Sequence, residues 1–338
     1  MSEPFISTSP MITGHRGFLG RALFHEFKKM FYRDNATHGP YAGWRYEGFD
    51  YPNHTIISPD PYAPKGRAVT KFDVDEQVAD SDSVIHCAAI ANLHDVEADP
   101  GKAARINLEG TMNIAAMCAR HNVPLVFIST CCVYGRAGNG GTILTEDVTP
   151  DPTEPYAQGK LLMEHWLAGY AKATGLRYRI VRIGTLYGPG MRPALFNWIA
   201  FEKAIRGEAV AVNHPGTQTR TYLYIDDAAE GIRAVLEYGK DGETYNLAGP
   251  DSPSVYDTVR MAQELVGKPS GFRVAPMRPG EILEENISCV KAATELGWAA
   301  KVGYAEGMKR LFDWCMSAEG IAVSAAVKTA EQQREAAT

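Results

Sequence analysis

The sequence predicts an α/β protein built on a doubly wound parallel sheet, followed by a smaller α+β lobe. Two observations support this fold class. Up to about residue 184, short runs rich in β-branched residues alternate with helical stretches, an order typical of parallel strands covered by helices on both faces. Beyond residue 185 the alternation weakens, and the remaining segments have a mixed α+β character.

The individual elements follow from short apolar runs and the turn residues between them. Strands are predicted at 10–13, 45–50, 83–87, 125–130 and 178–183, with a further strand-like run at 220–225. Helices are predicted at 17–31, 100–121, 155–174 and 195–206. Residues 32–44 are expected to form a polar loop, and the chain beyond about 318 a helical or disordered tail.

Composition excludes several classes of protein. The 338 residues are 45% hydrophobic and 22% charged with a net charge of −6, which is typical of a globular domain with no polyanion partner, so no nucleic acid is expected. No apolar run reaches the length of about 20 residues that spans a bilayer, and the first residues lack a secretion signal. Six cysteines without paired metal-ligand spacing predict no metal site and reduced thiols in a cytoplasmic protein.

A glycine triplet lies between the first predicted strand and the first predicted helix. Gly14, Gly17 and Gly20 have the spacing that gives a tight turn, close approach of a pyrophosphate to the backbone, and close helix–sheet packing. The amides of Phe18 and Leu19 at the helix start would hold phosphate oxygens. A plain strand-to-helix turn is the alternative, but this context favours a Rossmann-type dinucleotide site.

Two charged residues bear on which dinucleotide binds. Asp50 closes the second predicted strand and would accept hydrogen bonds from the ribose hydroxyls, which favours NAD. Arg16, inside the glycine turn, would instead pair with the 2′-phosphate of NADP. NAD is the expected cofactor, with NADP as the alternative.

Tyr156 and Lys160 are four residues apart on a predicted helix and therefore share one face. Lowering a phenol pKa from about 10 to near neutrality takes about 4 kcal/mol. A cation at about 4 Å supplies roughly that much at an effective dielectric constant of about 20. The pair is thus expected to act as a base, although the same spacing also occurs in simple surface pairs.

An ordered series of motifs extends through residues 10–316. It comprises Gly14-x-x-Gly-x-x-Gly20, Asp73-Val74, His86-Cys-Ala-Ala89, Asn107-Leu-Glu-Gly-Thr111, Ser129-Thr-Cys-Cys-Val-Tyr-Gly135, Tyr156-x-x-x-Lys160, Arg182-Ile-Gly-Thr-Leu-Tyr-Gly-Pro189, Arg220-Thr-Tyr-Leu-Tyr-Ile-Asp-Asp227, Arg278-Pro-Gly-Glu281 and Glu295-Leu-Gly-Trp298. This series resembles the extended short-chain dehydrogenase/reductase family, the NAD-dependent epimerase/dehydratase group acting on nucleotide sugars.

The resemblance implies roles for the cofactor residues. Asp73 and Val74 would lie at the adenine, and Ala88 and Ala89 would line the cofactor channel. Asn107 would help to fix the active-site architecture, with a plain helix cap as the alternative.

The resemblance also implies the substrate contacts. Thr130 matches the hydroxyl that orients the reacting sugar alcohol, Tyr156 matches the base, and Lys160 also matches the ribose-binding lysine. The positions that match contacts to the nucleotide diphosphate are Asn197, Arg220 and Arg278. Without the resemblance, each arginine would be interpreted as part of a surface ion pair.

Departures from the family pattern at two places bear on which reaction the protein would catalyse. Thr185 replaces the usual asparagine of the motif after the fifth predicted strand, so that substrate contact is not carried over. Sugar 4,6-dehydratases carry Asp-Glu after the threonine, whereas this chain has Cys131 and Cys132. A decarboxylase would also need a glutamate at position 132.

Cys132 has two interpretations of equal weight. If the strand persisted past Thr130, alternation would turn Cys132 toward the sugar as well, where a thiol could move a proton at a carbon acidified by a carbonyl. The resemblance extends to epimerase-reductases with a cysteine at this position. The alternative is a small buried apolar side chain, which is also the expectation for Cys131.

The resulting hypothesis is an NAD-dependent nucleotide-sugar epimerase that works through a transient 4-keto sugar. An NADPH-dependent 4-keto-sugar reductase, or a C3/C5 epimerase-reductase using Cys132, is the alternative enzyme. A non-catalytic dinucleotide sensor is the alternative outside catalysis, and the intact Tyr156–Lys160 pair counts against it.

The predicted domain organisation is a cofactor domain at 1–184 with a returning segment near 219–250, and a substrate lobe from 185–218 and 251–318. A tail follows at 319–338. The resemblance further implies a homodimer that associates through helices 100–121 and 155–174.

Overall fold

The structure, a computed structural model, describes residues 10–14, 17–34, 71–193, 195–277, 280–322 and 325. The predicted strand 45–50 and three predicted site residues, Arg16, Asp50 and Arg278, lie outside the described residues. So do most of the predicted loop 32–44 and most of the tail.

The described residues form the following strands: β1 (Pro10–Thr13), β2 (Ser83–His86), β3 (Leu125–Thr130), β4 (Tyr178–Ile183), β5 (Thr185–Tyr187), β6 (Val210–Asn213), β7 (Tyr222–Tyr224), β8 (Thr244–Leu247) and β9 (Phe272–Ala275). The helices among them are α1 (Phe18–Asp34), α2 (Lys71–Asp80), α3 (Leu93–Ala98), α4 (Pro100–Ala104), α5 (Gly110–His121), α6 (Pro155–Thr174), α7 (Phe196–Arg206), α8 (Ile225–Tyr238), α9 (Val255–Val266), α10 (Val290–Leu296) and α11 (Tyr304–Cys315). None of the helices in these ranges is long and apolar enough to cross a bilayer.

A parallel sheet with strand order β1-β2-β3-β4-β8 forms the centre of the protein. Its longest pairing runs over all six residues of β3, from Leu125 opposite Tyr178 to Thr130 opposite Ile183. The segment that follows β7 returns to this sheet, because α8 leads into β8, which pairs with β4. This parallel α/β architecture confirms the predicted fold class.

Alternation along the strands divides the core into two layers. One face of the sheet packs against α1 and α8, through Ile12, Ile85, Val126, Val181, Leu23, Phe27, Ile232 and Val235. The opposite face packs against α2, α5 and α6, through Met11, Val84, Leu125, Phe127, Val78, Ile114, Met163 and Leu167. Because successive strand side chains point to opposite faces, apolar runs of this kind are buried on both sides.

The second lobe contains two parallel two-stranded sheets, β5–β7 and β6–β9. Its core combines α7, α9 and α11 around aromatic side chains, including Tyr187, Trp198, Phe201 and Tyr304. In sequence, α8 and β8, which return to the main sheet, separate the segments of this lobe.

The predicted bounds of most elements lie within three residues of the observed ones. The bounds of strands 125–130 and 178–183 and of helix 155–174 agree fully. The predicted helix 100–121 is continuous but widens into a π-helical turn over Arg105–Glu109. Helix α1 continues to Asp34, into the predicted loop. A π-helical turn inside an α-helix often marks a functional position.

Candidate active site

The carboxyl ends of β1, β2 and β3 meet at one edge of the parallel sheet, where ligands bind in folds of this kind. A chain of hydrogen bonds joins the first two strand ends. Thr13 Oγ1 lies 2.8 Å from His86 Nδ1 and accepts the Ala88 amide at 3.2 Å. Burial, followed by the charge of Lys160, lowers the His86 pKa to about 3, so the ring is neutral.

The glycine turn is tightly packed against the end of β2. Gly14 has φ +69°, and a Cβ there would lie 2.9 Å from the Ala88 Cα. The Gly17 amide donates to the Gly14 carbonyl at 2.9 Å, after which α1 begins at Phe18. The turn thus leaves the first amides of α1, those of Phe18 and Leu19, at the sheet edge, an arrangement that suits a pyrophosphate.

Asn107 lies in the π-helical turn and binds the backbone of the loop that follows β2. Its Oδ1 accepts the Ile90 amide at 2.8 Å, and its Nδ2 donates to the Ile90 carbonyl at 2.9 Å. This loop also carries the predicted channel residues Ala88 and Ala89, both partly buried. Asn107 therefore fixes the shape of the loop, in agreement with an architectural role.

Thr130 is the last residue of β3, and it caps the turn that follows. Its Oγ1 accepts the Cys132 amide at 3.1 Å. Helix α6 packs against β3 and against this turn, and Tyr156 is the second residue of α6. The structure thus brings the predicted threonine and tyrosine to the same strand end.

The Tyr156 hydroxyl accepts or donates no hydrogen bond within the part of the chain that the structure describes. Among those residues, four side-chain nitrogen or oxygen atoms are buried from solvent and have no hydrogen-bond partner: Arg179 Nη1, Gln218 Oε1, Glu237 Oε1 and Trp298 Nε1. Since the Tyr156 oxygen is not one of them, it keeps contact with solvent. It is available to a bound ligand.

The Lys160 amine is buried between the sheet and the Tyr156 ring. Its Nζ donates to the Ile128 carbonyl at 2.7 Å and lies 4.6 Å from the Phe127 ring centroid. It lies 5.9 Å from the Tyr156 ring centroid. Burial lowers the Lys160 pKa to about 8, against the opposing effects of Cys87 and Glu164.

The structure corrects the expected ionisation of Tyr156. Burial, followed by the effect of Cys132, raises the Tyr156 pKa above its usual value. The reason is that desolvation of the phenolate outweighs an amine that is directed at the Ile128 carbonyl instead of the phenol oxygen. In the ligand-free protein the phenol is protonated.

The structure also corrects the expectation that strand alternation continues past Thr130 and turns Cys132 toward the sugar. β3 ends at Thr130, and Cys131–Tyr134 form a 3₁₀ turn, so strand alternation does not reach Cys132. The turn nevertheless keeps Cys132 at Thr130 through the amide contact described above. Burial, then the carboxylate of Glu285, raises the Cys132 pKa to about 11.

Cys131 has the packing role that the sequence predicts. Its side chain is buried in a cluster with Val133, Leu144 and Ile287. Its Sγ also donates to the Arg182 carbonyl at 3.3 Å.

Asn197 and Val74, two predicted ligand contacts, have buried side chains. Asn197 Nδ2 donates to the Tyr304 hydroxyl at 3.1 Å inside the core of the second lobe. Val74 is buried in α2 within the core under the sheet. Their contacts with a diphosphate and an adenine stay predictions. Asp73 also lies in α2, but its side chain is outside what the structure describes.

Arg220 is tethered by polar groups near the site. Its guanidinium pairs with Glu281 at 2.7 Å and donates to the carbonyls of Thr219 and Ile282. Its charge lowers the pKa of both Cys132 and Glu285, which places it among the groups around the thiol. A diphosphate contact by Arg220 stays a prediction.

Two groups near the site escaped the sequence analysis. Glu164, one helical turn after Lys160, pairs with Arg182 at 2.7 Å and accepts a hydrogen bond from Ser129, all within the core. Its spacing from Lys160 is a signal that could have identified it. Glu285, a buried carboxyl whose charge raises the Cys132 pKa, has no such signal because its hydrogen-bond partner Thr221 is distant in sequence.

Comparisons with known proteins agree with this geometry. Residues 11–248 match the model of the NAD dependent epimerase/dehydratase family. A dTDP-glucose 4,6-dehydratase of Streptomyces antibioticus is 28% identical over 319 residues, covering 90% of this chain and 91% of that protein. UDP-glucuronic acid decarboxylase 5 of Arabidopsis thaliana is 26% identical over 317 residues, covering 88% and 86%.

Among solved structures, a UDP-glucose 4-epimerase of Thermus thermophilus in complex with NAD superposes with a TM-score of 0.75. It is 25% identical, and the match covers 91% of this chain and 99% of that one. The similarity therefore extends through both lobes.

Proposed function

Because the chain belongs to the NAD dependent epimerase/dehydratase family, we propose that it is a nucleotide-sugar epimerase. It would oxidise the sugar to a transient 4-keto form and reduce it again with inverted configuration. The observation that supports this most directly is the Tyr156 hydroxyl, which has no partner among the described residues and is held by α6 at the strand end that carries Thr130.

The residues of the glycine turn fit NAD as the cofactor. The amides of Phe18 and Leu19 would hold the pyrophosphate, and the absent side chain of Gly14 allows the turn to pack on Ala88. When bound, the nicotinamide would accept a hydride from the sugar carbon and return it. Lys160 would lie beneath the site and bind a ribose hydroxyl.

Each side chain would have one task in the reaction. Thr130 would orient the C4 hydroxyl of the sugar, and Tyr156, after losing its own proton to solvent, would take the hydroxyl proton as the phenolate. Because burial raises the Tyr156 pKa, this transfer needs nearby positive charge, which Lys160 supplies in part. Inversion follows if the keto sugar turns its other face before reduction.

The residues after Thr130 favour an epimerase over the activities named for the two sequence relatives. A dehydratase would be expected to carry Asp-Glu at positions 131 and 132, and a decarboxylase a glutamate at position 132, where this chain has two cysteines. Reduction of a 4-keto sugar by NADPH, assisted by Cys132, is the second candidate. The position of Cys132 at the Thr130 hydroxyl supports it.

Product mass separates these activities in one experiment. The purified protein is incubated with UDP-, GDP-, CDP- and dTDP-sugars, and the products are measured by mass spectrometry. An epimerase gives an isomer of unchanged mass without net use of cofactor. Loss of water, loss of carbon dioxide, or gain of two hydrogens with stoichiometric NADPH would contradict the proposal.

A homodimer through the helices at 100–121 and 155–174 is a separate proposal, implied by the resemblance. Light scattering tests it, and a molar mass matching one chain would contradict it.

A further inference from the structure

A row of polar side chains crosses the main sheet one residue from the carboxyl ends of β3, β4 and β8. Ser129 lies opposite Arg182 in the register of β3 and β4, and Arg182 lies opposite Asn246 in the register of β4 and β8. Alternation directs the row to the face of the sheet that packs against α6, where Phe127 and Ile180, two residues earlier, also lie. All three polar side chains are buried, each at most 6% exposed. A polar row in the interior needs hydrogen-bond partners.

Glu164 on α6 is the partner of two members of this row. Its Oε2 lies 2.7 Å from Arg182 Nη2, and its Oε1 accepts the Ser129 hydroxyl. The Arg182 Nε donates to the same carboxylate at 3.2 Å, so the guanidinium binds it through two nitrogens. The Glu164 carboxylate therefore joins α6 to the ends of β3 and β4 at once.

Two successive turns of α6 are bonded to the end of β3. Lys160 donates to the Ile128 carbonyl at 2.7 Å, and Glu164, four residues later, accepts the hydroxyl of the next residue in the strand. Both bonds are made directly before Thr130. They set the position of α6 along β3, and therefore the position of Tyr156 relative to Thr130.

Tyr134 binds the same polar row from the turn that follows Thr130. It is the last residue of that turn, and its side chain is buried. Its hydroxyl donates to Asn246 Oδ1 at 2.8 Å and accepts Arg182 Nη1 at 3.0 Å. The Arg182 guanidinium also lies over the Tyr134 ring, 4.9 Å from its centroid. Because it is buried, Tyr134 can act on a ligand only through its neighbours.

These bonds form one network between the turn and the helix. The network passes from Asn246 through the Tyr134 hydroxyl, the Arg182 guanidinium and the Glu164 carboxylate to Ser129. Within the described part of the chain, no polar atom of these five side chains is both buried from solvent and unpaired. A buried polar network that is satisfied in this way holds its members rigidly.

We propose that Tyr134 is a positioning residue, which holds the Thr130 hydroxyl at the separation from the Tyr156 hydroxyl that the reaction needs. It acts through Arg182 and Glu164. The inference rests on the proposed function, in which both hydroxyls bind the C4 alcohol of the sugar. A shift of the turn or of α6 along the sheet would break a hydrogen bond of the network. Such a shift slows proton transfer, since a misplacement of about 1 Å can cost about 10²-fold in rate.

The test compares Tyr134→Phe, which removes the hydroxyl and keeps the ring, with the matched control Tyr245→Phe. Tyr245 is a buried tyrosine of β8, next to Asn246 in sequence. Its hydroxyl also makes two hydrogen bonds, from the Lys240 amide at 3.0 Å and to Glu295 Oε2 at 3.1 Å. It lies on the opposite face of the sheet, in the layer that packs against α1 and α8. The control therefore matches the buried hydroxyl and lacks the connection to the site.

Turnover and binding are measured with the nucleotide sugar that the wild type converts. Tyr134→Phe should lower kcat by at least about tenfold, because the reacting groups are misplaced. The Kd for NAD and the Kd for the nucleotide sugar should stay within about twofold, because Tyr134 touches neither ligand. Tyr245→Phe should keep kcat within about twofold. Thermal unfolding should show similar losses in both variants, since each loses two hydrogen bonds.

A second measurement needs no substrate. The Cys132 amide donates to Thr130 Oγ1 inside the turn, so its hydrogen exchange reports how firmly the turn is held. Exchange in the peptide that contains this amide should be about tenfold faster in Tyr134→Phe than in the wild type. In Tyr245→Phe it should match the wild type.

The outcomes separate this inference from the proposed function. If the wild type epimerises a nucleotide sugar and Tyr134→Phe keeps its kcat, or if both variants lose kcat equally, the positioning role is overturned and the proposed function stands. Unchanged exchange of the Cys132 amide in Tyr134→Phe also overturns that role. If the wild type converts no nucleotide sugar to its epimer, the proposed function fails, and with it the reaction for which Tyr134 would position the two hydroxyls.

Discussion

Asn107 and Ile90 are joined by two antiparallel hydrogen bonds between a side-chain amide and a backbone peptide group. The Asn107 Oδ1 accepts the Ile90 amide at 2.8 Å, and the Asn107 Nδ2 donates to the Ile90 carbonyl at 2.9 Å. A second set of polar contacts joins the π-helical turn that contains Asn107 to β2. The Thr111 hydroxyl donates to the Asn107 carbonyl and lies 3.1 Å from His86 Nε2. The loop after β2 is thus fixed from both sides.

Asn107→Asp should loosen this loop. The substitution keeps the acceptor for the Ile90 amide but places a carboxylate oxygen opposite the Ile90 carbonyl, which should cost about 1–3 kcal/mol of unfolding free energy. Urea unfolding and the Kd for NAD measure the effect. Asn139→Asp is the control, since Asn139 uses only Oδ1, as acceptor for the amides of Leu283 and Glu284. Equal losses in both variants would contradict the specific role of Asn107.

Tyr156→Phe should abolish the proton transfer and leave the fold intact. Removing a general base lowers kcat by about 10²- to 10⁴-fold. The Kd for NAD should change little, because the phenol binds no described residue. Tyr170→Phe is the control in the same helix, where the ring stacks on Trp166 at 4.6 Å. Turnover near the wild-type rate in Tyr156→Phe would refute the assigned base.

Gly14→Ala and Gly207→Ala separate backbone strain from steric contact. Both residues have a left-handed backbone, with φ +69° and +68°, but only at Gly14 would a Cβ meet another group, Ala88 at 2.9 Å. The strain alone costs about 1–2 kcal/mol. Gly14→Ala should therefore lose more unfolding free energy than Gly207→Ala, and it should also bind NAD more weakly. Equal costs in thermal unfolding, with unchanged affinity, would contradict the fit of this turn to the cofactor.

His86 should make the protein sensitive to acid. Its pKa in the folded protein is about 3, below the ordinary value of 6.5, so the unfolded chain binds the extra proton between these pH values. The free energy of unfolding should therefore fall as the pH drops through this window, by at most about 1.4 kcal/mol per pH unit. His86→Gln should flatten this dependence in urea titrations, whereas His165→Gln, at an exposed position, should not. A wild-type slope in His86→Gln would contradict the assignment.

The buried pair of Glu164 and Arg182 supports the helix that carries Tyr156 and Lys160. Arg182→Leu should destabilise the protein by about 3–5 kcal/mol, because it leaves the Glu164 charge buried without a partner. The double variant Glu164→Leu/Arg182→Leu should recover much of that loss. Arg310→Leu, which breaks an exposed pair with Glu306, should cost under about 1 kcal/mol. Additive losses in a double-mutant cycle would contradict the coupling.

The sequence was sufficient to predict those parts of the site that depend on local geometry. Helix spacing places Tyr156 and Lys160 on one face of α6. The glycine turn is equally local, since the strand, the turn and the helix start follow one another in the chain. Such features need only short-range rules, which is why their bounds agree closely with the structure.

Predictions that depend on the phase or the end of an element need more than local patterns. Alternation would apply to Cys132 only if the strand continued, yet β3 ends at Thr130, two residues before Cys132, where the Thr130 hydroxyl caps a turn. The motif position of Asn197 gave no information on which way it faces. The phase of α7 turns Asn197 inward together with Trp198 and Phe201.

The position of Glu285 depends on contacts between segments that are distant in sequence. Its carboxylate accepts the Thr221 amide, and single-sequence patterns do not relate these two residues. The pKa of Tyr156 escaped prediction for a similar reason. Spacing identifies the nearby amine, whereas desolvation and the bond from Lys160 to the Ile128 carbonyl appear only once the core is assembled.

The bridge between Leu144 and Ile287 has a consequence for biosynthesis. Chains emerge from the ribosome N-terminus first, and contacts between distant segments form late. A nascent chain that has not yet reached Ile287 can assemble β1 to β4 and the local turn after Thr130, but it lacks the partner of Leu144. The segment around Leu144 therefore pairs only after translation has passed Ile287.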